Sequence, residues 1–269
     1  MAAPIVPTAI VLYLRAKSEE TEEYKNNLQR VENDPNAKKQ AIKILFNDEK
    51  WRFYLLGTAG SWLIFDIAFY ANSLFNSTIT AMLGLGTEPI NVSVNSLILA
   101  AMALPGYALA VLTIDKITRK ELQVIGFIML VFLYLCLGLF YTNTSGALVI
   151  VLYGLTYFFS NFGPNTSTYT IPGEIFPTLS RSTAHGISAA SGKVGAFLGA
   201  YLLKPLVNDY GLGTVLVICA GLSLFGLMWT YIFIPSTSQE KHKQAAKLPE
   251  EDSQTETEAS LMFIELREF

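Results

Sequence analysis

The sequence predicts an all-α membrane protein, a bundle of six transmembrane helices. Three observations carry that prediction. Charged residues make up only 15% of the chain against 51% hydrophobic residues, where soluble domains carry about 25% charged residues. The charges are also absent in long blocks: Pro89 to Ile114, Leu122 to Gly173 and Tyr210 to Gln239 contain none, and Phe53 to Thr87 carries only Asp66. An uncharged apolar run of about 18 residues or more is long enough to cross a bilayer as a helix. Finally, 17 of the 19 Lys and Arg, all but Lys193 and Lys204, cluster in 15–52, 116–120, at Arg181 and in 241–267. A six-span layout puts all four clusters on one side.

Taken in order, residues 1–14 are apolar but short for a span, with neither a basic leader nor a cleavage site, and read as the end of a preceding transmembrane helix. Residues 15–52 are highly charged, are broken at Asp34-Pro35, and form a predicted cytoplasmic linker of one or two surface helices. The transmembrane domain is placed at 53–234, with spans near 53–74, 92–114, 122–141, 147–173, 183–206 and 213–234. The cuts fall at Thr87-Glu88-Pro89, the charged turn Asp115 to Glu121, Thr142 to Ser145, Pro177 to Arg181, and Asn208 to Gly211. These runs are too long and too unalternating for barrel strands, and in lipid only helices or closed barrels satisfy the backbone. Residues 235–269 are polar and mainly acidic, and are predicted to be a disordered cytoplasmic tail that includes His242.

Basic residues accumulate on the cytoplasmic side of membrane proteins, so both termini are expected inside. The sequons at Asn76, Asn91 and Asn143 fall in the opposite loops, which carry no Lys or Arg. The net charge of -3 says little, because much of it sits in the linker and tail. Cys136 and Cys219 lie inside spans without metal or redox spacing and read as small packing residues.

An ionisable group inside a bilayer costs about 2.5–3.5 kcal/mol on insertion scales, so Asp66 and Lys193 stand out. Trp62, Asp66 and Tyr70 recur at every fourth residue and share one helix face, which offers an indole N–H, a carboxyl and a phenol. The bland reading is a structural carboxyl beside ordinary packing aromatics. Lys193 sits about ten residues into the fifth span within Ser188-Ala189-Ala190-Ser191-Gly192, small residues that admit a close helix neighbour. Its depth argues against snorkelling, whereas Lys204 near the outer end can snorkel. His185, near the inner end, suits capping or packing. In the fourth span Asn161-Phe162-Gly163-Pro164-Asn165-Thr166 combines a helix break with two amides. The amides would either satisfy freed backbone groups or donate to an oxygen-rich ligand.

Three strings carry a resemblance: Gly60 to Tyr70, Asn161 to Asn165, and Arg181 to Lys193 (RSTAHGISAASGK). They resemble the proton-coupled phosphate symporters of fungi and plants, major facilitator proteins of twelve helices, over about residues 10–235. The resemblance implies that this chain is half of a twelve-helix fold, helices seven to twelve plus the central linker. It implies a midplane phosphate site formed by Trp62, Asp66, Tyr70, Asn165 and Lys193, with Asp66 coupling protons. It also implies a cytoplasmic gate: Asp115 to Lys120 is similar to the family's D-x-x-G-R-K turn, and Glu174 and Arg181 match its acidic and basic partners, so that Asp115, Arg119, Glu174 and Arg181 would pair across helix ends. Thr118 stands where that turn has Gly. Glu19 to Tyr24 and Pro235 to Ser238 also depart from the family's pattern.

Phosphate transport coupled to protons is therefore the expected function, in the plasma membrane, with phosphate, protons and lipid as partners. Helices one to six are expected either as part of a longer protein or from another chain, a separate N-terminal half or a second copy. A sugar or organic-ion carrier of related fold is one alternative, although a neutral sugar does not call for an Asp and a Lys. A non-transporting nutrient sensor or inactive half is another. No nucleophile–base pair, metal-ligand cluster or phosphate-cradling loop is present to suggest an enzyme, a metal or a cofactor, and nothing points to nucleic acid.

Overall fold

A computed structural model describes residues 5–18, 22–34, 36–76 and 89–236, and every element among them is helical. Helix α1 spans Ile5–Lys17, α2 Glu22–Asn33 and α3 Ala37–Asn47. Helices α4 (Glu49–Leu74), α5 (Pro89–Thr113), α6 (Arg119–Phe140), α7 (Gly146–Phe162), α8 (Pro164–Ile175) and α9 (Thr178–Phe233) follow, with one 3-10 turn at Tyr141–Asn143. Glu49–Ser73, Arg119–Asn143, Gly146–Ile175 and Thr178–Phe233 are each long and apolar enough to cross a membrane, and Leu97–Thr113 is a shorter apolar helix. The predicted tail beyond residue 236, with His242, and most of the loop before Pro89 lie outside the described residues.

Local chemistry starts and stops these helices. Asp48 caps α4 by accepting from the Lys50 and Trp51 amides at 2.9 and 3.2 Å. Thr118 caps α6 with its hydroxyl on the Glu121 amide, while Glu121 reaches back to the Thr118 amide at 2.8 Å. This reciprocal capping box explains how the turn forms with Thr where the resembled motif has Gly. Gly163 (φ -99°, ψ -104°) separates α7 from α8. The break is tied down by Thr166 Oγ1 donating to the Asn161 carbonyl at 2.6 Å and by Asn161 Nδ2 donating to the Tyr157 carbonyl at 2.7 Å.

Helix α9 is broken at Gly211, whose φ of 81° and ψ of 163° no side chain tolerates well. The register of neighbours shows that its two arms run in opposite directions. Along the first arm, Ser188, Ser191, Gly195 and Gly199 meet Thr58, Ala59, Leu63 and Ile67 of α4 in rising order. Along the second, Gly226, Trp229 and Phe233 meet Ile64, Gly60 and Gly57 in falling order. The second arm is also antiparallel to α6, with Gly213 near Gly138 and Thr230 accepting from Gln123 at 2.7 Å.

The main core gathers Phe65, Phe127, Tyr134, Tyr153 and Leu216 from α4, α6, α7 and α9. Cys219 packs in it as a small buried side chain. A smaller cluster of Leu45, Leu55, Phe176 and Ala184 docks α3 against the ends of α4, α8 and α9.

Candidate functional site

Helix α4 holds the centre of the site. Trp62, Asp66 and Tyr70 share one wall of a cavity of about 470 Å³, which is completed by α5, α7, α8 and the first arm of α9. That volume falls among the roughly 300–1,000 Å³ of small-ligand sites. Asn165 and Lys193 line the same cavity, so the five residues singled out in the sequence converge on one space. Helix α9 comes this close because position 192 is Gly: a Cβ there would collide with the Trp62 indole and stand 2.9 Å from Asp66 Oδ2.

Asp66 is only 3% exposed, and its Oδ2 has no hydrogen-bond partner among the described residues. That oxygen is packed against α9 at Gly192, and a buried polar oxygen without a partner is costly. Lys193 Nζ donates to Tyr70 Oη at 3.2 Å and lies 5.4 Å from the ring centroid. Trp62 is braced edge-on by Tyr169 and His185, at 6.3 and 5.7 Å between ring centres. His185 Nε2 donates to the Tyr169 carbonyl at 3.1 Å, a packing role that fixes the indole from behind. Lys204 is exposed farther along α9 and does not line the cavity.

Asn161 and Asn165 both line the cavity, joined by a 2.6 Å hydrogen bond from Asn165 Nδ2 to Asn161 Oδ1. Tyr107, Tyr157 and Asn76, which the sequence did not single out for the site, line it as well. Asn76 Oδ1 accepts from the Tyr153 and Tyr157 hydroxyls at 2.6 and 2.8 Å. Asn76, the first of the three sequon asparagines, thus turns its side chain toward α7. For Tyr107 the available signal was the Pro105-Gly106 pair before it, which lets α5 approach α7: a Cβ on Gly106 would meet the Phe158 carbonyl.

At the other end of α8, Arg119 and Glu174 form an ion pair, with both Nε and Nη2 of Arg119 3.0 Å from Glu174 Oε1. Arg119 Nη1 also donates to the Ile114 carbonyl. Asp115 lies in the same α5–α6 turn. Arg181 donates from Nε to the Phe176 carbonyl at 3.0 Å. The structure thus brings together Arg119 and Glu174, while Arg181 ties down the turn between α8 and α9.

Apolar helices of membrane-crossing length, packed around a polar cavity that holds an Asp and a Lys, fit an integral membrane protein. Residues 8–248 match the sugar (and other) transporter family, and the chain belongs to that major facilitator family. It is 41% identical to the probable inorganic phosphate transporter 1-6 of Arabidopsis thaliana over 69% of this chain and 38% of that protein. It is 40% identical to the inorganic phosphate transporter PHO84 of Saccharomyces cerevisiae over 76% of this chain and 37% of that protein. The chain therefore spans well under half the length of these relatives, which are transporters rather than enzymes. Its fold is similar to the crystal structure of a double-tryptophan mutant of XylE, with a TM-score of 0.60 at 19% identity, covering 87% of this chain and 55% of that one.

Proposed function

We propose that this chain forms the C-terminal half, helices seven to twelve, of a proton-coupled inorganic phosphate transporter in the plasma membrane. The observation that carries the reading is the convergence of Trp62, Asp66, Tyr70, Asn165 and Lys193 on one cavity, in a chain about 40% identical to phosphate transporters. An anion beside a deprotonated Asp66 meets like-charge repulsion at low dielectric. Protonation removes it, so proton and phosphate favour each other's binding, and that coupling is reciprocal. Lys193 supplies the compensating charge, and Trp62 and Tyr70 supply hydrogen bonds.

The topology has six passes and both termini in the cytoplasm. A straight 56-residue helix would be about 84 Å long against a hydrocarbon core of about 30 Å, so the reversal at Gly211 makes α9 two passes. Helix α5 adds one, α7 with α8 forms another, and neighbouring passes alternate in direction. The Arg119–Glu174 pair sits at the cytoplasmic ends and closes the inner gate. Helices one to six come from a longer protein or a partner chain, because alternating access in this fold rocks two halves about a midplane site.

Uptake of radiolabelled phosphate into vesicles, with and without an inward pH gradient, tests the reading. The full transporter carrying Asp66→Asn is expected to lose pH-driven accumulation, since the amide keeps the volume but cannot titrate. Retained accumulation would remove Asp66 as the coupling residue. Transport of a neutral sugar in place of phosphate would favour a sugar carrier, and binding without flux would favour a sensor.

A further inference from the structure

One hydrogen-bond chain in the cavity has a direction that can be read from its fixed end. The Tyr157 carbonyl can only accept, so the Asn161 group facing it at 2.7 Å is the amide nitrogen. The carbonyl end of the Asn161 side chain is thereby turned toward Asn165, which must present N–H, and does so at 2.6 Å. The same Asn165 nitrogen donates its second proton to Tyr107 Oη at 2.7 Å. Both N–H groups of Asn165 are then in use, and only its carbonyl oxygen remains for a ligand. Tyr107 accepts from Asn165, so its own single proton is left to donate. Tyr107 is 42% exposed and lines the cavity.

The geometry points to Tyr107 as a substrate-contacting residue on α5, held as a hydrogen-bond donor toward a bound oxyanion by the Asn161–Asn165 amide relay. This rests on the reading of the cavity as a phosphate site and adds to it. On this wall the group suited to an oxyanion is the phenol O–H. The spare Asn165 carbonyl would repel the unprotonated oxygens of the anion, so Asn165 is a positioning residue acting through Tyr107. Helix α5 thereby contributes a polar contact facing the cavity from a different side than Lys193 and Tyr70.

The test measures binding of radiolabelled inorganic phosphate to the purified full transporter in lipid nanodiscs, with thermal unfolding run alongside to check that each variant folds. Tyr107→Phe is expected to weaken binding about 10- to 100-fold, the range for a hydrogen bond to a charged acceptor. Tyr107→3-fluorotyrosine, nearly isosteric but a stronger donor, is expected to tighten binding, an effect that a merely structural tyrosine would not produce. Asn165→Leu is expected to weaken binding, and the double variant with Tyr107→Phe should bind no worse than Tyr107→Phe alone. Wild-type affinity in Tyr107→Phe, when Lys193→Ala has abolished binding, overturns the proposal. So does weaker binding by the fluorinated protein. Losses that multiply in the double variant overturn the relay, because Asn165 would then contact phosphate itself. A wild-type protein that binds no phosphate under any condition is a different result, which overturns the proposed function and this inference with it.

Discussion

At the scale of single residues, cost separates the groups that bind from the groups that pack. Lys193 and Lys204 lie on the same arm of α9, yet only Lys193 lines the cavity and donates to Tyr70. Lys193→Ala is therefore expected to weaken phosphate binding at least tenfold, while Lys204→Ala leaves it near wild type. Equal losses in a binding assay would remove Lys193 from the site. Asp66 and Lys193 were legible in the sequence because a charge in an apolar run is expensive and needs a reason. Tyr107 and Asn76 were not. Uncharged polar and aromatic side chains are cheap enough inside spans to recur for packing alone, so nothing in the sequence marks out Asn76, and Tyr107 is marked only by the Pro105-Gly106 pair before it.

At the scale of elements, two features invite direct tests. Gly211 adopts φ 81°, and a Cβ added there would meet nothing within 4 Å, so Gly211→Ala introduces backbone strain without a clash. The expected cost is about 1–3 kcal/mol, read as a lower unfolding midpoint in detergent. An unchanged midpoint would mean that the reversal of α9 does not depend on this conformation. The Arg119–Glu174 pair is partly exposed, at 18% and 37% of its side chains. Such pairs add less than about 1 kcal/mol to stability, so its value lies in holding helix ends together. Arg119→Glu and Glu174→Arg should each impair flux with little change in unfolding, and the exchanged pair should recover it. If the exchange restores nothing, the two charges do not act on each other during transport. The positions of the runs were legible from missing charges, and the capping box at Thr118–Glu121 was written in the sequence although the resemblance drew attention to the departure instead. The reversal of α9 was legible as well, because Asn208 to Gly211 is a polar cut between the fifth and sixth spans; what the sequence did not show is that a single glycine dihedral at Gly211 makes the turn.

At the scale of the whole molecule, the helix face beside the cavity is exposed and apolar. Val194, Phe197 and Tyr201, which follow Lys193 on α9, are 52%, 62% and 66% exposed. Were that face to meet lipid, the cavity charges beside it would stand unpaired at a cost of several kcal/mol. Residues 1–269 expressed alone are therefore expected to insert but not to carry proton-driven phosphate flux as a monomer. Reconstitution with measurement of both oligomeric state and flux checks this. Robust flux from a stable monomer would overturn the half-transporter reading.

What the sequence determined by itself was the solvent and the secondary structure. Long uncharged runs, the sidedness of Lys and Arg, and the spacing of Trp62, Asp66 and Tyr70 are local properties: a bilayer penalises each buried charge separately, and a helix puts every fourth residue on one face. What only the tertiary structure decided was convergence between helices. Asn161 and Asn165 share a face by spacing, but that Tyr107 from α5 completes their chain, and that Gly192 lets α9 bring Lys193 to Asp66, depends on how each helix is rotated about its axis and how closely it packs. Rotation and approach are set by all the neighbours at once, so no stretch of one helix records them.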